Sequence, residues 1–257
     1  MKEERISVNN LRINYKIAGE GPAVLILHGW GGSSDSWLEV LKILVNHNFQ
    51  VIVPDLPGFG KSDLPPQGWA VQDYSDFILS FVEKLKLGQF FLFGHSFGGR
   101  IAIKLSGQHP EKLKSLILCD AAGIKFEQSI KTKTILAATR MGNALFSPRI
   151  FAILREQARD LWYFLLRNRD YVKANGVMRE TIKKALNEDL LPELSKIQVK
   201  TLIIWGGDDK LVPVKCAHVF KEKISNSLLE IMPKIGHSPH LEEPEKLGQI
   251  IISFLQS

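Results

Sequence analysis

Apolar positions along the first 120 residues fall into short runs separated by longer amphipathic stretches. Residues 11–18 alternate in the manner of a half-exposed antiparallel strand. Residues 23–27, 50–53, 90–93 and 116–118 are continuous apolar runs, the pattern of strands covered on both faces. Between them, residues 36–46, 71–85 and 97–108 carry apolar side chains at helical spacing, and Pro110 provides a stop for the last. The rhythm returns with an apolar run over 201–204, a helix over 214–223, a strand over 228–232 and a final helix over 244–255. Strand–helix alternation of this kind predicts an α/β fold with a doubly wound, mostly parallel sheet and antiparallel pairing at its N-terminal edge.

Residues 124–195 break that rhythm. They hold no strand-like run and read as helices, for example over 148–169 and 175–187. Ile150, Phe151, Ile153, Leu154, Ala158, Leu161, Trp162, Leu165 and Leu166 recur at helical spacing. The expected organisation is a core made of residues 1–123 and 196–257 with a helical cap, 124–195, inserted between two strands.

Composition narrows the possible classes. With 45% hydrophobic and 23% charged residues in 257, the chain has a globular balance and is not a disordered scaffold. No apolar run approaches the ~18 residues of a membrane-spanning helix. Residues 1–5 are charged and lead into no apolar signal core, and Cys119 and Cys216 are the only cysteines. A cytoplasmic protein with reduced thiols is therefore expected. Net charge is +6, from 33 Lys and Arg against 27 Asp and Glu. That is mildly basic, without the dense stripe of a nucleic-acid binder. Residues 124–195 hold 13 of those cations and 8 of the acids, so +5 of the +6 sits in the expected cap. Arg140, Arg155, Arg159, Arg167 and Arg169 are candidates for attracting an anionic or carrier-linked substrate. The plainer alternative is a solvated polar face with paired acids. No feature of the sequence specifies an oligomeric state.

The most specific chemical signal is Gly94-His95-Ser96-Phe97-Gly98-Gly99, which follows an apolar strand run and opens a helix. A sharp strand-to-helix turn forces its central residue into a strained conformation and leaves no room for side chains two positions either side. Such a turn projects the serine hydroxyl into a cleft and aims helix N-terminal amides at the same point, where negative charge can be stabilised. A serine hydroxyl alone is a poor nucleophile, so a base and an orienting acid should follow. Residues 205–213, with Asp208 and Asp209, follow one late strand, and residues 234–239, with His237, follow the next. His237 is the candidate base and His240 its rival. His95 lies inside the turn facing away from the serine, and His28 reads as a turn-stabilising residue.

Five segments together, His28-Gly29-Trp30-Gly31-Gly32, Asp55-Leu56-Pro57-Gly58-Phe59-Gly60-Lys61-Ser62, the serine turn, residues 205–213 and Gly236-His237, resemble the α/β-hydrolase superfamily, in its serine-nucleophile, capped esterase or C–C hydrolase-like branch. The resemblance spans essentially the whole chain and implies the α/β-hydrolase fold. It also implies Ser96, Asp209 and His237 as a catalytic triad, with Asp208 as an alternative acid and Asp120 at the strand end where some members carry theirs. The backbone N–H groups of Trp30 and Phe97 are implied as the oxyanion hole. No cofactor is implied. The Gly60-Lys61-Ser62 ending lacks the leading glycine of a phosphate loop, the glycines after His28 do not complete a dinucleotide fingerprint, and no metal-ligand spacing is present.

The expected activity is hydrolysis of a small-molecule carboxylic ester through an acyl-enzyme. Serine rather than aspartate at the turn argues against dehalogenase or epoxide chemistry. Phe151, Trp162 and Phe164 are the cap residues expected to contribute to the substrate pocket. Two alternatives remain. One is C–C bond hydrolysis of ring-cleavage products or a related elimination, which Gly98-Gly99-Arg100 resembles. The other is a ligand receptor that keeps the triad with little turnover.

Overall fold

The computed structural model describes residues 1–124 and 176–257. Eight strands form one sheet in the order β1-β2-β4-β3-β5-β6-β7-β8. They are β1 (Lys2–Val8), β2 (Leu11–Ala18), β3 (Ala23–Leu27), β4 (Gln50–Pro54), β5 (Phe90–His95), β6 (Leu113–Cys119), β7 (Thr201–Gly206) and β8 (Ser227–Met232). The β1–β2 and β2–β4 pairs are antiparallel and every other pair is parallel. The expected doubly wound α/β sheet with an antiparallel N-terminal edge is therefore the fold of the chain.

Helices cover both faces. Described in chain order they are α1 (Leu38–Val45), α2 (Val71–Lys84), α3 (Phe97–Gln108), α4 (Gly176–Asn187), α5 (Leu191–Leu194), α6 (Lys215–Lys223), α7 (Pro239–Glu242) and α8 (Pro244–Leu255). Helices α1 and α8 pack together, as do α2 and α3. Alternate strand residues Val24, Ile26, Val51, Val53, Phe93, Ile117, Leu202 and Ile204 share one core with Val40, Leu41 and Leu44 of α1 and Leu247 and Ile251 of α8. The intervening residues Leu25, Leu27, Ile52, Leu92, Leu116 and Ile203 are equally buried. Burial on both faces explains why these strands read as unbroken apolar runs.

The two antiparallel strands depart from the sequence expectation. β2 is mostly buried rather than half-exposed, with Ile13, Asn14, Tyr15 and Lys16 consecutively covered. Lys16 reaches Asp35 at 2.7 Å and Glu3 at 3.4 Å, so its charge is paired at the edge of the core. β1 had no apolar signature, because only Val8 of its seven residues is buried. A charged edge strand of this kind blocks pairing with another chain.

The expected cap falls largely on residues outside those described. Its described part, 176–195, contains α4 and α5. Helix α4 sits against the loop before α2: Thr181 Oγ1 accepts the Trp69 N–H at 3.0 Å and Lys184 Nζ donates to the Gly68 carbonyl at 2.6 Å. Among the described residues no helix is long and apolar enough to cross a membrane.

Candidate active site

Ser96 sits between β5 and α3 with φ 51° and ψ −110°, a backbone conformation that L-residues avoid. Strain of this type costs about 1–3 kcal/mol and needs the surroundings to enforce it. The surroundings are tight. A Cβ on Gly94 would stand 2.7 Å from the Gly98 carbonyl, and one on Gly98 would overlap the Leu27 carbonyl oxygen. The turn is closed by backbone bonds, Ser96 N–H to the Cys119 carbonyl at 3.1 Å and Gly99 N–H to the Ser96 carbonyl at 3.0 Å.

Two loops at the C-terminal ends of β7 and β8 reach the serine. His237 Nε2 lies 2.9 Å from Ser96 Oγ, and its Nδ1 lies 2.7 Å from Asp209 Oδ2. The carboxylate accepts the Nδ1–H, which leaves Nε2 unprotonated to accept the serine proton. Asp209 is fixed independently of the histidine, because its Oδ1 accepts the amide N–H groups of Leu211 at 2.7 Å and Val212 at 3.0 Å. Trp205 Nε1 donates to the Val212 carbonyl at 2.8 Å and ties the same loop to β7. Gly206 is where the two loops touch: a Cβ there would overlap the Gly236 carbonyl.

The remaining histidines have other partners. His95 is buried and its Nε2–H donates to the His237 carbonyl at 2.8 Å. Burial, together with His240 and His237 beside it, holds its pKa well below the ordinary value. His240, the rival base, stacks on Trp37 with ring centroids 4.2 Å apart, and burial brings its pKa down to about 3. His28 Nδ1–H donates to the Gly29 carbonyl at 2.7 Å while its Nε2 accepts the Leu56 N–H at 3.0 Å. It thereby joins the two motif loops, and burial lowers its pKa.

Trp30, expected to supply an oxyanion-hole amide, follows directly on that pinned turn. A Cβ on Gly29 would lie 3.2 Å from Ser96 Cβ, and the Trp30 and Phe97 rings meet edge-to-face at 5.2 Å. Both residues are thus adjacent to the serine. Asp55 supports the arrangement from behind. Its Oδ1 accepts the Ser34 N–H at 2.6 Å, and its Oδ2 accepts from Lys61 N–H at 2.9 Å and Asn14 Nδ2 at 3.1 Å. In the sequence Asp55 is only the first residue of the Asp55–Ser62 motif, with no role attached to it. The signal for it was an acid ending an apolar strand, where a buried carboxylate must find donors.

The two alternative acids are placed differently. Asp208 donates its backbone N–H to the Ile235 carbonyl at 2.9 Å. Asp120 is fully buried at the end of β6 and accepts the Gly206 N–H at 2.8 Å. Burial, reinforced by the neighbouring Asp209 charge, pushes its pKa up to about 8. Oxygen and nitrogen atoms of Asp120, Asp209 and His237 lie within 4.8 Å of one another, the one such donor cluster among the described residues. Those donors are already bonded to Gly206, Leu211, Val212 and each other. Arg100, from the Gly98-Gly99-Arg100 run, is buried and donates from Nη1 to the Glu188 carbonyl at 3.1 Å. Phe151, Trp162 and Phe164 lie outside the described residues.

Known proteins share this architecture. The chain is 26% identical to a 2-hydroxy-6-oxo-6-phenylhexa-2,4-dienoate hydrolase of Burkholderia cepacia, over 96% of this chain and 92% of the relative. Among solved structures, a membrane phospholipase A described as a bacterial virulence factor superposes with a TM-score of 0.79 at 28% identity, covering 99% of this chain and 86% of that one. An esterase from Exiguobacterium antarcticum gives 0.75 at 27% identity, covering 98% and 99%. The family model for the alpha/beta hydrolase fold matches residues 22–244. With the sheet order, the serine turn and this match over most of its length, the chain belongs to the alpha/beta hydrolase fold family.

Proposed function

We propose that the protein is a serine hydrolase cleaving carboxylic esters of small molecules through an acyl-enzyme. The observation that carries this reading is the His237 imidazole bonded to Ser96 Oγ at 2.9 Å on one side and Asp209 at 2.7 Å on the other. Ser96 Oγ attacks the ester carbonyl while Nε2 of His237 takes its proton. Asp209 keeps Nδ1 protonated and stabilises the imidazolium that results. The Trp30 and Phe97 amides bind the oxyanion, beside the positive end of α3. The proton then passes from His237 to the leaving alcohol, and a water molecule, deprotonated by the same imidazole, releases the acid.

Residues 124–195 belong to the same proposal as an inserted helical cap, and Phe151, Trp162 and Phe164 as its substrate-binding residues. A cap rich in Arg and Lys suits anionic or carrier-linked esters. The reaction needs no cofactor. A cytoplasmic location belongs to the same proposal and agrees with two buried, unbridged thiols.

Labelling by a fluorophosphonate together with turnover of p-nitrophenyl esters graded by chain length and charge tests the reading. Wild type should be labelled and turn over, and Ser96→Ala should do neither. Unlabelled wild-type protein would remove the proposal. A second reading, C–C bond hydrolysis, is favoured by the Burkholderia cepacia relative. It predicts turnover of a 2-hydroxy-6-oxo-dienoate at a higher kcat/KM than any ester of the panel. The receptor alternative predicts slow single-turnover acylation without release.

A further inference from the structure

Two carboxyl groups at neighbouring strand ends are unequal in their partners. Asp209 accepts three hydrogen bonds, from His237 Nδ1 and the amides of Leu211 and Val212. Asp120, on the adjacent strand, is 0% exposed and accepts one backbone N–H, from Gly206 at 2.8 Å. The Cys119 thiol lies 3.4 Å from its other oxygen, Oδ2, and is a weak donor. The titratable groups around Asp120 are Cys119 on β6, Asp209 after β7 and His237 after β8. None of the three is a permanent cation.

Two buried carboxyl groups within 4.8 Å cannot both ionise without a large penalty. Three donors stabilise the anion of Asp209, whereas Asp120 has one strong donor and no cation, so the proton of the pair belongs on Asp120. Resting on the triad proposed above, we infer that Asp120 stays protonated at neutral pH and donates its hydrogen bond to the Asp209 carboxylate, acting as a positioning residue that holds the acid against His237. The cluster then carries one negative charge, matched to the one imidazolium formed during the reaction. The Cys119 thiol adds no charge to the cluster, because burial, helped by the Asp209 carboxylate, pushes its pKa up.

The inference makes Asp120→Asn a faithful copy of the working state. The carboxamide keeps an oxygen for the Gly206 N–H and an N–H₂ for Asp209, and it cannot ionise. Asp120→Ala keeps neither bond. In wild type, loss of the proton near pH 8 places a second charge beside Asp209 and drives it from the imidazole.

The test is kcat/KM for a p-nitrophenyl ester from pH 5 to 9 in wild type and both variants. Asp120→Asn should stay within about threefold of wild type at pH 7 and lose the alkaline fall near pH 8, while Asp120→Ala should drop at least tenfold. An Asn variant that falls as far as Ala at pH 7, or one whose alkaline limb matches wild type, overturns the inference. A second measurement needs no activity. The protonated form is favoured in the fold, whereas the unfolded chain ionises near 3.8, so wild-type stability is lost as pH rises from there to about 8. The thermal midpoint of Asp120→Asn should therefore rise relative to wild type across that window and hold a constant lead above it. A lead that does not change with pH also overturns the inference. If fluorophosphonate fails to label Ser96, the triad reading fails, and the unfolding experiment still decides where the proton sits.

Discussion

The two ends of β5 are built to different tolerances. At its start, the chain leaves α2 through Lys86 with φ 54° and passes Gly88, where an added Cβ would meet nothing within 4 Å. At its end, Gly94 and Gly98 are pressed against the backbone of α3 and β3, and Ser96 is held in a strained conformation. One strand thus joins an open connection to a turn whose glycines have no room for a side chain. The difference shows where chemistry constrains the sequence: at the end where a hydroxyl, an imidazole and a carboxylate must meet, small shifts in backbone position matter.

The strongest way to break the contrast is chemical. Asp209→Asn keeps the shape of the acid but removes the charge and can reverse the tautomer of His237. We expect kcat to fall by on the order of 10⁴, the loss seen when a triad acid becomes an amide. Circular dichroism and the unfolding midpoint should change little, because the Leu211 and Val212 N–H groups still find an oxygen. A loss below tenfold would mean that another carboxyl, Asp120 or Asp208, orients the base.

Next in size is a steric change. Gly98→Ala places a methyl group on the Leu27 carbonyl oxygen, an overlap that neither α3 nor β3 can relieve without moving the serine turn. We expect a cost of about 3 kcal/mol, at the upper end of overpacking effects and a large share of a typical domain's stability. Urea unfolding measures it, and an unchanged midpoint would show that the turn has slack.

A third difference between the ends is electrostatic. His28, His95 and His240 are buried at the C-terminal end with pKa values held below the ordinary histidine range, chiefly by desolvation. The unfolded chain takes up protons near pH 6.5 while the fold refuses them. The stability these histidines contribute is therefore full above that value and is lost as pH falls toward the folded pKa, about 3 for His240. Between pH 7 and pH 5, His240 should account for about 2 kcal/mol of lost stability. His240→Phe preserves a ring to stack on Trp37 and should flatten this acid slope in denaturant titrations.

What could be read from the chain follows the same division. The serine turn was legible because its steric demand is local: three glycines in six residues after an apolar strand run state it directly. The buried strands were legible because burial on both faces leaves an unbroken apolar run. The meeting of Asp209 with His237 was not, since it depends on Gly206 at the end of β7 lying against Gly236 in the loop after β8, a contact that no spacing encodes; the choice over Asp208 came from the family pattern. The edge strand β1 was missed because its sequence, with charges at four of seven positions, carries no burial signal. The Gly98-Gly99-Arg100 run carried a resemblance and no assigned role, and the structure shows its arginine buried with Nη1 donating to the Glu188 carbonyl.

The smallest predicted effect lies at the open end and has the opposite sign. Gly88 has a backbone conformation outside the left-handed region and room for a methyl group, so nothing in the folded state asks for glycine. The left-handed position of this connection belongs to Lys86, where the Leu87 N–H bonds back to the Val82 carbonyl at 3.0 Å. Gly88→Ala then acts mainly on the unfolded chain, which loses conformational freedom, and should stabilise the protein by about 0.4–1 kcal/mol. Gly98→Ala adds the same methyl group ten residues later, past the strand, and is expected to do the reverse. Urea midpoints of the two variants, measured side by side, isolate the environment from the chemistry of the substitution. Equal shifts would mean that the two ends of β5 do not differ in tolerance.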